Sequence, residues 1–201
     1  KRIGSLLLIL ALCFTLLPTA ALAEDDAWNG STAAAFAGGT GTAEDPYQIA
    51  NGAELAYLAS SVNSGETYED KYFVLTANIN LNGLPWTPIA NSFSDALFGG
   101  TDYRIFAGNF DGKGYTISNV SIGSETTPFE SDVFGLFGAT GGEISNLNLY
   151  TVSIHGVAKI ASGYVVGIAG GLVGSSAGSI ENCHVTGLAM DMSAPSNGYA
   201  A

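Results

Sequence analysis

Four side chains between residues 86 and 103 are of the types that bind or cleave sugars. Trp86 and Tyr103 carry rings on which a sugar could stack, and Asp95 and Asp102 supply carboxylates near them in the sequence. Glycosidases need two carboxylates at a fixed separation, and lyases need a base or a cation near an acidic sugar. We therefore take these four residues, with Asp111, as a candidate glycan-binding cleft. The enzyme that they permit is a glycosidase or a lyase.

A structural interpretation of the same residues competes with this one. Prolines on both sides of Trp86 hold the ring where it would plug the core. Asp111 opens the sequence Asp-Gly-Lys-Gly, which is typical of a tight turn, and Asp95 and Asp102 suit an exposed loop. We favour this interpretation and assign no catalytic residue.

The histidines and cysteines predict neither a metal site nor a cofactor. The His-Glu-x-x-His motif, which places zinc ligands on one helix in many proteases, is absent from the sequence. His155 and His184 fall at different positions of the repeat described below. Cys183 matches an apolar position of that repeat, so we expect it to be a small buried hydrophobe and not a reactive thiol.

Residues 1–23 have the three parts of a secretory signal peptide. Lys1 and Arg2 supply the positive start, an apolar stretch covers residues 6–17, and residues 21–23 form a small-residue cleavage site. The apolar stretch is shorter than the roughly 20 residues that a membrane-spanning helix needs. We expect a secreted or cell-surface protein with no membrane span after cleavage.

The charge of the remaining chain argues against one class of partner. Removal of residues 1–23 takes two of the 6 basic residues and none of the 18 acidic ones, which leaves a net charge of −14. Such a surface repels phosphate backbones, so we expect no nucleic-acid partner. Only Cys183 remains, so packing and not an intrachain disulfide must hold the fold. The partners that fit are an extracellular glycan or a host or cell-surface protein.

A fifteen-residue pattern occurs three times and is the strongest signal in the chain. It begins with glycine, has isoleucine nine places on and asparagine eleven places on, and has apolar residues twelve and fourteen places on. The matched positions are Gly108, Gly135 and Gly171, then Ile117, Ile144 and Ile180, then Asn119, Asn146 and Asn182. The pattern survives insertions of unequal length, at 123–132 and 150–170, which is typical of a solenoid. We therefore predict that the three isoleucines stack in one interior column.

The matched asparagines have two compatible structural roles. Their amides could hydrogen-bond between stacked coils and form a ladder. Asparagine also tolerates the left-handed backbone of a turn.

Composition and periodicity divide the mature chain into a flexible leader, an N-terminal cap, a repeat region and a tail or the start of a next coil. These parts cover residues 24–42, 43–105, 106–188 and 189–201. Within the cap, apolar residues at helical spacing predict a helix over 53–62, with Asn51 as its N-cap. Alternation predicts a strand over 72–81, and a loop follows at 91–105.

The repeats at 135–149 and 171–185 closely resemble the GLUG motif of bacterial secreted and surface proteins. Each has Gly-Leu-x-Gly followed by Ile-x-Asn, and the lead-in from Asp45-Pro46-Tyr47 onward is similar, so the resemblance covers about residues 38–188. The unit at 108–111 departs from the motif, because Asn and Asp replace Leu and Gly. The resemblance implies a right-handed parallel β-helix in an adhesin-like region, a kind also found beside the protease domain of IgA-specific metalloendopeptidases.

Together these observations predict an all-β, right-handed parallel β-helix with a short N-terminal capping helix. We expect it to act as a secreted, non-catalytic surface module for adhesion, ligand binding or display. Ligands would contact the outer faces of the coils or the loops at 91–105, 123–132 and 150–170. A glycan-active enzyme and the accessory region of a larger surface metalloprotease are the alternatives.

Overall fold

The computed structural model describes residues 27–92, 104–161 and 164–195. The signal peptide predicted at 1–23 lies outside the described residues. The described chain has one helix, α1 (Gly52–Asn63). Its strands are β1 (Tyr47–Ile49), β2 (Tyr72–Leu75), β3 (Ile79–Asn80), β4 (Asn109–Asp111), β5 (Thr116–Ile122), β6 (Phe129–Ser131), β7 (Val133–Phe134), β8 (Phe137–Thr140), β9 (Ile144–Ser145), β10 (Asn148–Ala161), β11 (Tyr164–Val166), β12 (Ile168–Ala169), β13 (Val173–Ser176), β14 (Ile180–Glu181) and β15 (His184–Ser193).

Strands from successive coils stack side by side into three faces. The first face has the order β1-β2-β4-β9-β14, and the second is built on β3, β5, β10 and β15. The third consists of shorter pairs, β7 with β12 and β8 with β13. All of these pairs are parallel. The predicted all-β parallel β-helix with a short capping helix is therefore confirmed.

Apolar side chains of stacked strands fill the space between the faces. On the second face, one register position is occupied in four successive coils by Ile79, Ile117, Leu149 and Val185. On the first face, an equivalent column contains Phe73, Phe110, Ile144 and Ile180. Apolar side chains at the same register position contact one another because neighbouring parallel strands lie about 4.8 Å apart in the hydrogen-bonding direction.

The prediction of one isoleucine column is wrong. Ile144 pairs with Ile180 on the first face, whereas Ile117 lies on the second face and pairs with Leu149. The partner of Ile144 in the preceding coil is Phe110. The cause is that the first and second copies of the pattern are only 27 residues apart in the sequence. Stacked residues of these two coils are 32 to 34 residues apart, as in the pairs Ile117–Leu149 and Phe110–Ile144. The first copy therefore falls at a different point of its coil.

The first glycine of the pattern is displaced in the same way. Gly135 stacks with Gly171, in keeping with the pairing of β8 and β13. Gly108 instead lies beside Gly142, where an added Cβ would come within 2.0 Å of the Gly108 carbonyl oxygen. The second and third copies of the pattern are therefore one coil apart, and the first copy is out of phase with them.

The repeat asparagines combine both predicted roles, but at two corners. Asn119, Asn146 and Asn182 have left-handed backbones, with φ of 56°, 51° and 50°. The Asn182 side-chain amide donates to Asn146 Oδ1 at 2.8 Å, and that of Asn146 donates to Asp111 Oδ1 at 3.0 Å. Asn119 donates to Asn80 at 2.9 Å, on a different corner. A ladder of amides therefore accompanies the left-handed turns, in two separate stacks.

The N-terminal cap is held by α1. Asn51 Oδ1 accepts from the backbone N–H of Glu54 at 3.0 Å, and the Glu54 carboxylate accepts from the N–H of Ala50 at 2.6 Å. These bonds satisfy donors that the first helical turn leaves open. Leu55, Leu58 and Val62 are buried in the core. A helix of this length is marginal alone in water, so this packing sustains it.

Residues 27–42 are packed, in contrast to the flexible leader predicted over 24–42. Trp28 is 9% exposed. The ring of Phe36 lies 4.8 Å from that of Tyr47 and 5.4 Å from that of Phe73. Backbone bonds from Ala33 to Ala53 and from Ala37 to Gln48 add to these aromatic contacts, although most of the segment remains exposed.

Three predicted boundaries also change. The strand expected over 72–81 is divided into β2 and β3, because the chain turns from the first face to the second at 76–78. The insertion expected at 150–170 begins with regular coil, since 150–154 pairs with 118–122, and β10 then returns antiparallel as β11. The coils continue past residue 188, because β15 pairs with β10 as far as Ser193.

The inward residues of the third repeat lie at the end of the described stack. Ile180 is 45% exposed and Val185 is 39% exposed, whereas Ile144 and Leu149 beneath them are 0% and 2% exposed. The difference arises because the described residues cover the last coil on one side only.

Candidate functional site

A cleft opens where α1 lies against residues 85–91 of the first coil, and we call it the cap cleft. Its volume is about 430 Å³, within the range of roughly 300–1,000 Å³ typical of small-molecule sites. The floor is made of buried apolar side chains: Trp28, Ala56, Ala59 and Trp86. The rim carries hydroxyl and amide side chains: Thr32, Ser60, Asn63, Ser64, Thr87 and Asn91.

The helix provides one wall of the cap cleft. Ala56, Ala59, Ser60 and Asn63 are spaced at three and four residues, so they share one face of α1. Because three of these four side chains are small, they leave room between the helix and the coil. The capping of α1 at Asn51 fixes where this face begins.

The opposite wall is held by backbone hydrogen bonds to the next coil. The N–H of Trp86 donates to the Ser121 carbonyl at 2.7 Å, and the N–H of Ile89 donates to the Leu136 carbonyl at 3.0 Å. Prolines at 85 and 88 have no N–H, so the segment does not form a regular strand. The position of this segment is therefore fixed by two backbone bonds that are three residues apart.

Asn63 joins the two walls at one end of the cleft. Its Nδ2 donates to the Pro88 carbonyl at 2.9 Å, and its Oδ1 accepts from the N–H of Asn91 at 2.9 Å. The guanidinium Nε of Arg104 donates to the Asn63 carbonyl at 2.5 Å. These hydrogen bonds hold the two walls of the cleft together at this end.

The side-chain carbonyl oxygen of Asn91, next to these hydrogen bonds, is unsatisfied. Its Oδ1 is buried and accepts no hydrogen bond from the described residues. A buried acceptor without a donor costs about 1–3 kcal/mol. Such atoms are uncommon in folded proteins.

The two tryptophans contact each other below the cleft. Their ring centroids are 5.6 Å apart with an interplanar angle of 72°, an edge-to-face arrangement. The indole N–H of Trp28 donates to the Ser31 carbonyl at 2.7 Å. Trp86 is 2% exposed, so its ring has no open face on which a sugar could stack. The structure places this side chain as a plug of the core.

Of the other members of the predicted glycan-binding set, the structure describes only Asp111. Tyr103, Asp95 and Asp102 lie outside the described residues. Asp111 lies at the asparagine ladder and does not line the cap cleft. Sequence reasoning also missed Trp28, whose only signal was a lone tryptophan in a segment of small residues.

Asp111 belongs to a structural turn. Its carboxylate contacts Lys113 Nζ at 2.8 Å and accepts from the Lys113 backbone N–H at 2.8 Å. Burial raises the pKa of Asp111, but the hydrogen bonds from Lys113 and Asn146 and the charge of Lys113 outweigh burial, so the pKa is lowered. The Asp111 carboxylate therefore stabilises its own turn through Lys113 and bonds to the asparagine ladder through Asn146.

The histidines are separated in the structure. His155 on β10 lies opposite Asp191, and His184 on β15 lies opposite Asn148. Within 27–92, 104–161 and 164–195, no group of three or more His, Cys, Asp or Glu side chains is placed to hold a metal ion. Burial raises the pKa of the Cys183 thiol, which disfavours the reactive thiolate.

Comparison with known proteins finds two similar sequences. Halomucin of Haloquadratum walsbyi is 31% identical over 170 residues, which cover 79% of this chain and 2% of halomucin. A protein of Evansella cellulosilytica named as a Gly-rich membrane protein is 29% identical over 155 residues, which cover 75% of this chain and 15% of that protein. The chain thus spans only a small part of either relative. No protein-family model matches it, and no solved structure matches it significantly.

In the part of the chain that the structure describes, no helix combines the length and the apolar character needed to cross a bilayer.

Proposed function

We propose that this chain is an extracellular surface module that binds ligands or displays its outer faces, and not a catalyst. The observation that carries the proposal is the way the coils admit insertions. Ile89 and Phe106 bridge to Phe137 and Thr140, which are three residues apart on β8. Sixteen residues lie between Ile89 and Phe106 in the sequence, against two between their partners, so the coil keeps its register across an insertion.

A second insertion shows the same tolerance. Residues 155–161 of β10 continue past the regular coil, pair with β6 and return as β11. Inside the coil, Leu149, Val152 and Ile154 of the same strand remain buried. An interior that is kept constant while outer segments vary in length is the arrangement by which solenoid proteins present binding surfaces.

The similar proteins support a surface location. One is named as a Gly-rich membrane protein, and both are much longer than the segment that matches this chain. The predicted signal peptide at 1–23 and the strongly acidic composition fit export to an aqueous exterior. The proposal therefore includes secretion or display at the cell surface.

The resemblance to the GLUG motif is part of the same proposal. The two units that carry the motif stack directly on each other, with Ile144 on Ile180 and Phe137 on Val173. Their asparagines are joined by a hydrogen bond of 2.8 Å. We infer that the motif encodes one coil, with its asparagine at the corner between the first and second faces.

The test combines localisation with binding and turnover. Antibodies raised against the purified protein should label intact, unpermeabilised cells of the source organism. A glycan-array screen should then be followed by a hydrolysis assay on every glycan that binds. Labelling and binding without turnover support the proposal. Turnover of a bound glycan contradicts it and identifies an enzyme, and labelling only after permeabilisation contradicts surface display.

A further inference from the structure

We propose that the cap cleft binds a neutral saccharide, an inference that rests on the proposed surface-binding role and assigns it a site. The described side chains that line the cleft include none of Asp, Glu, Lys or Arg. A charged ligand that left water here would find no counter-charge on these lining side chains, and its desolvation would oppose binding. The Arg104 guanidinium at the end of the cleft is engaged by the Asn63 carbonyl. The ligand chemistry that fits is therefore neutral.

The distribution of polar and apolar groups narrows the class further. The floor offers only a small apolar area, since Trp28 is 9% exposed and Trp86 2%, and the rim carries four hydroxyl and two amide side chains. A sugar ring has the same division, with an apolar C–H surface and hydroxyl groups at its edge. A wholly apolar ligand would cover the rim hydroxyls and amides without replacing their hydrogen bonds to water, which costs binding energy.

One hydrogen-bond acceptor in the wall of the cleft has no donor. Asn91 lines the cleft, and its Oδ1 has no hydrogen-bond partner among the described residues. Because this oxygen is buried, the Asn91 amide must rotate towards the cleft before a ligand hydroxyl can donate to it. The opposing Asn63 amide is already engaged on both sides by Pro88 and Asn91. Asn91 is thus the polar group best suited to orient a sugar.

The chain carries its own probe for the test. Its 2 tryptophans are Trp28 and Trp86, and both line the cap cleft. Tryptophan emission therefore originates at this site. Titration with cellobiose, maltose and N,N′-diacetylchitobiose should include at least one sugar that changes the emission saturably. Digalacturonate, which is anionic, should leave the emission unchanged.

Variants at the rim assign the signal to the cleft. Ser60→Arg places a long charged side chain in the cleft from an exposed helix position, and we expect it to weaken binding at least about tenfold. Thr87→Arg does the same from the other wall, so a folding defect in one variant does not leave the question open. Ser179→Arg makes the same change at an exposed position on the last coil and should bind as the unaltered chain does.

Asn91→Ala tests the orienting group. Loss of one hydrogen bond predicts affinity lower by roughly 2- to 12-fold. Circular dichroism of each variant establishes that it is folded. The proposal is overturned if no neutral sugar changes the emission, if folded Ser60→Arg and Thr87→Arg bind as tightly as Ser179→Arg, or if digalacturonate alone binds. Glycan binding on the array without any change in emission would overturn the cleft as the site and leave the surface-binding role standing.

Discussion

The stacking of the coils predicts a large difference between two isoleucines at the same register position. Ile144 is 0% exposed and lies between Phe110 and Ile180, whereas Ile180 is 45% exposed. Substitution to alanine removes three carbon groups, worth about 2.4 kcal/mol if fully buried at about 0.8 kcal/mol each. At Ile144 a cavity adds to this loss, so we expect about 3–5 kcal/mol.

The same substitution at Ile180 should cost much less. About half of that side chain is already in water, so the transfer loss falls to about 1 kcal/mol, and no enclosed cavity is formed. The free energies of unfolding can be measured by urea denaturation followed by far-UV circular dichroism. With a slope of about 2 kcal/mol per molar urea, the midpoint should fall by roughly 1.5–2.5 M for Ile144→Ala and by about 0.5 M for Ile180→Ala.

Ile117→Ala is the matched control on the other face. Ile117 is 0% exposed and should behave like Ile144. Tryptophan emission, which arises in the cap, should give the same midpoints if the described coils unfold together. Equal losses at Ile144 and Ile180, or a larger loss at Ile180, would refute the order of stacking.

Three further predictions concern the corners. Asn146→Gly keeps the left-handed backbone but loses the amide bonds, so it should cost about 1–2 kcal/mol, and Asn146→Ala should cost about 1 kcal/mol more. The pKa of Asp111 is lowered in the fold, so its charged form stabilises the fold above its ordinary pKa. This stability is lost as the pH falls through the lowered value. The urea midpoint should therefore fall less steeply on acidification for Asp111→Asn than for the unaltered chain. Gly142→Ala would bring a Cβ within 2.0 Å of the Gly108 carbonyl oxygen and should destabilise the chain more than Gly114→Ala, where φ is +80° but nothing lies within 4 Å.

Each of these predictions has a clear contrary result. Equal midpoints for glycine and alanine at position 146 would mean that the left-handed backbone carries no cost. An unchanged pH dependence in Asp111→Asn would mean that the turn does not hold the charged carboxylate. Gly114→Ala as damaging as Gly142→Ala would mean that the close approach between coils relaxes freely. Urea denaturation by circular dichroism, repeated across pH for the Asp111 pair, supplies every measurement.

Much of the fold could be predicted from local sequence patterns. The helix cap at Asn51 and the left-handed asparagines depend on bonds within a few residues, and these the sequence carries directly. The parallel β-helix was also predictable, because a motif kept across unequal insertions requires a stacked architecture. What local pattern could not supply was the number of residues in each coil. Ile117 was therefore matched to Ile144, 27 residues on, although its stacked partner is Leu149, 32 residues on.

The candidate site was less accessible to sequence reasoning. Trp86 was correctly weighed as a plug, but Trp28, which lies 5.6 Å from it, comes from a segment with no periodic signal. Nothing in either neighbourhood indicates that the two rings meet or that α1 stands beside them. A cleft made by three distant segments is a property of their packing.

By itself, the sequence determined the class of fold, the left-handed corners and the acidic character of the surface, because each depends on residue type and short-range spacing. Only the tertiary structure decided which residues share a column, where the leader packs and how the cap cleft is lined. The physical reason is that register in a solenoid is set by hydrogen bonds between coils some 32 to 36 residues apart. The corner from Phe110 to Ile117 is two residues longer than the one from Ile144 to Leu149, yet the strands on both sides of it stay in register. The apolar pattern of a strand therefore does not reveal how many residues its coil contains.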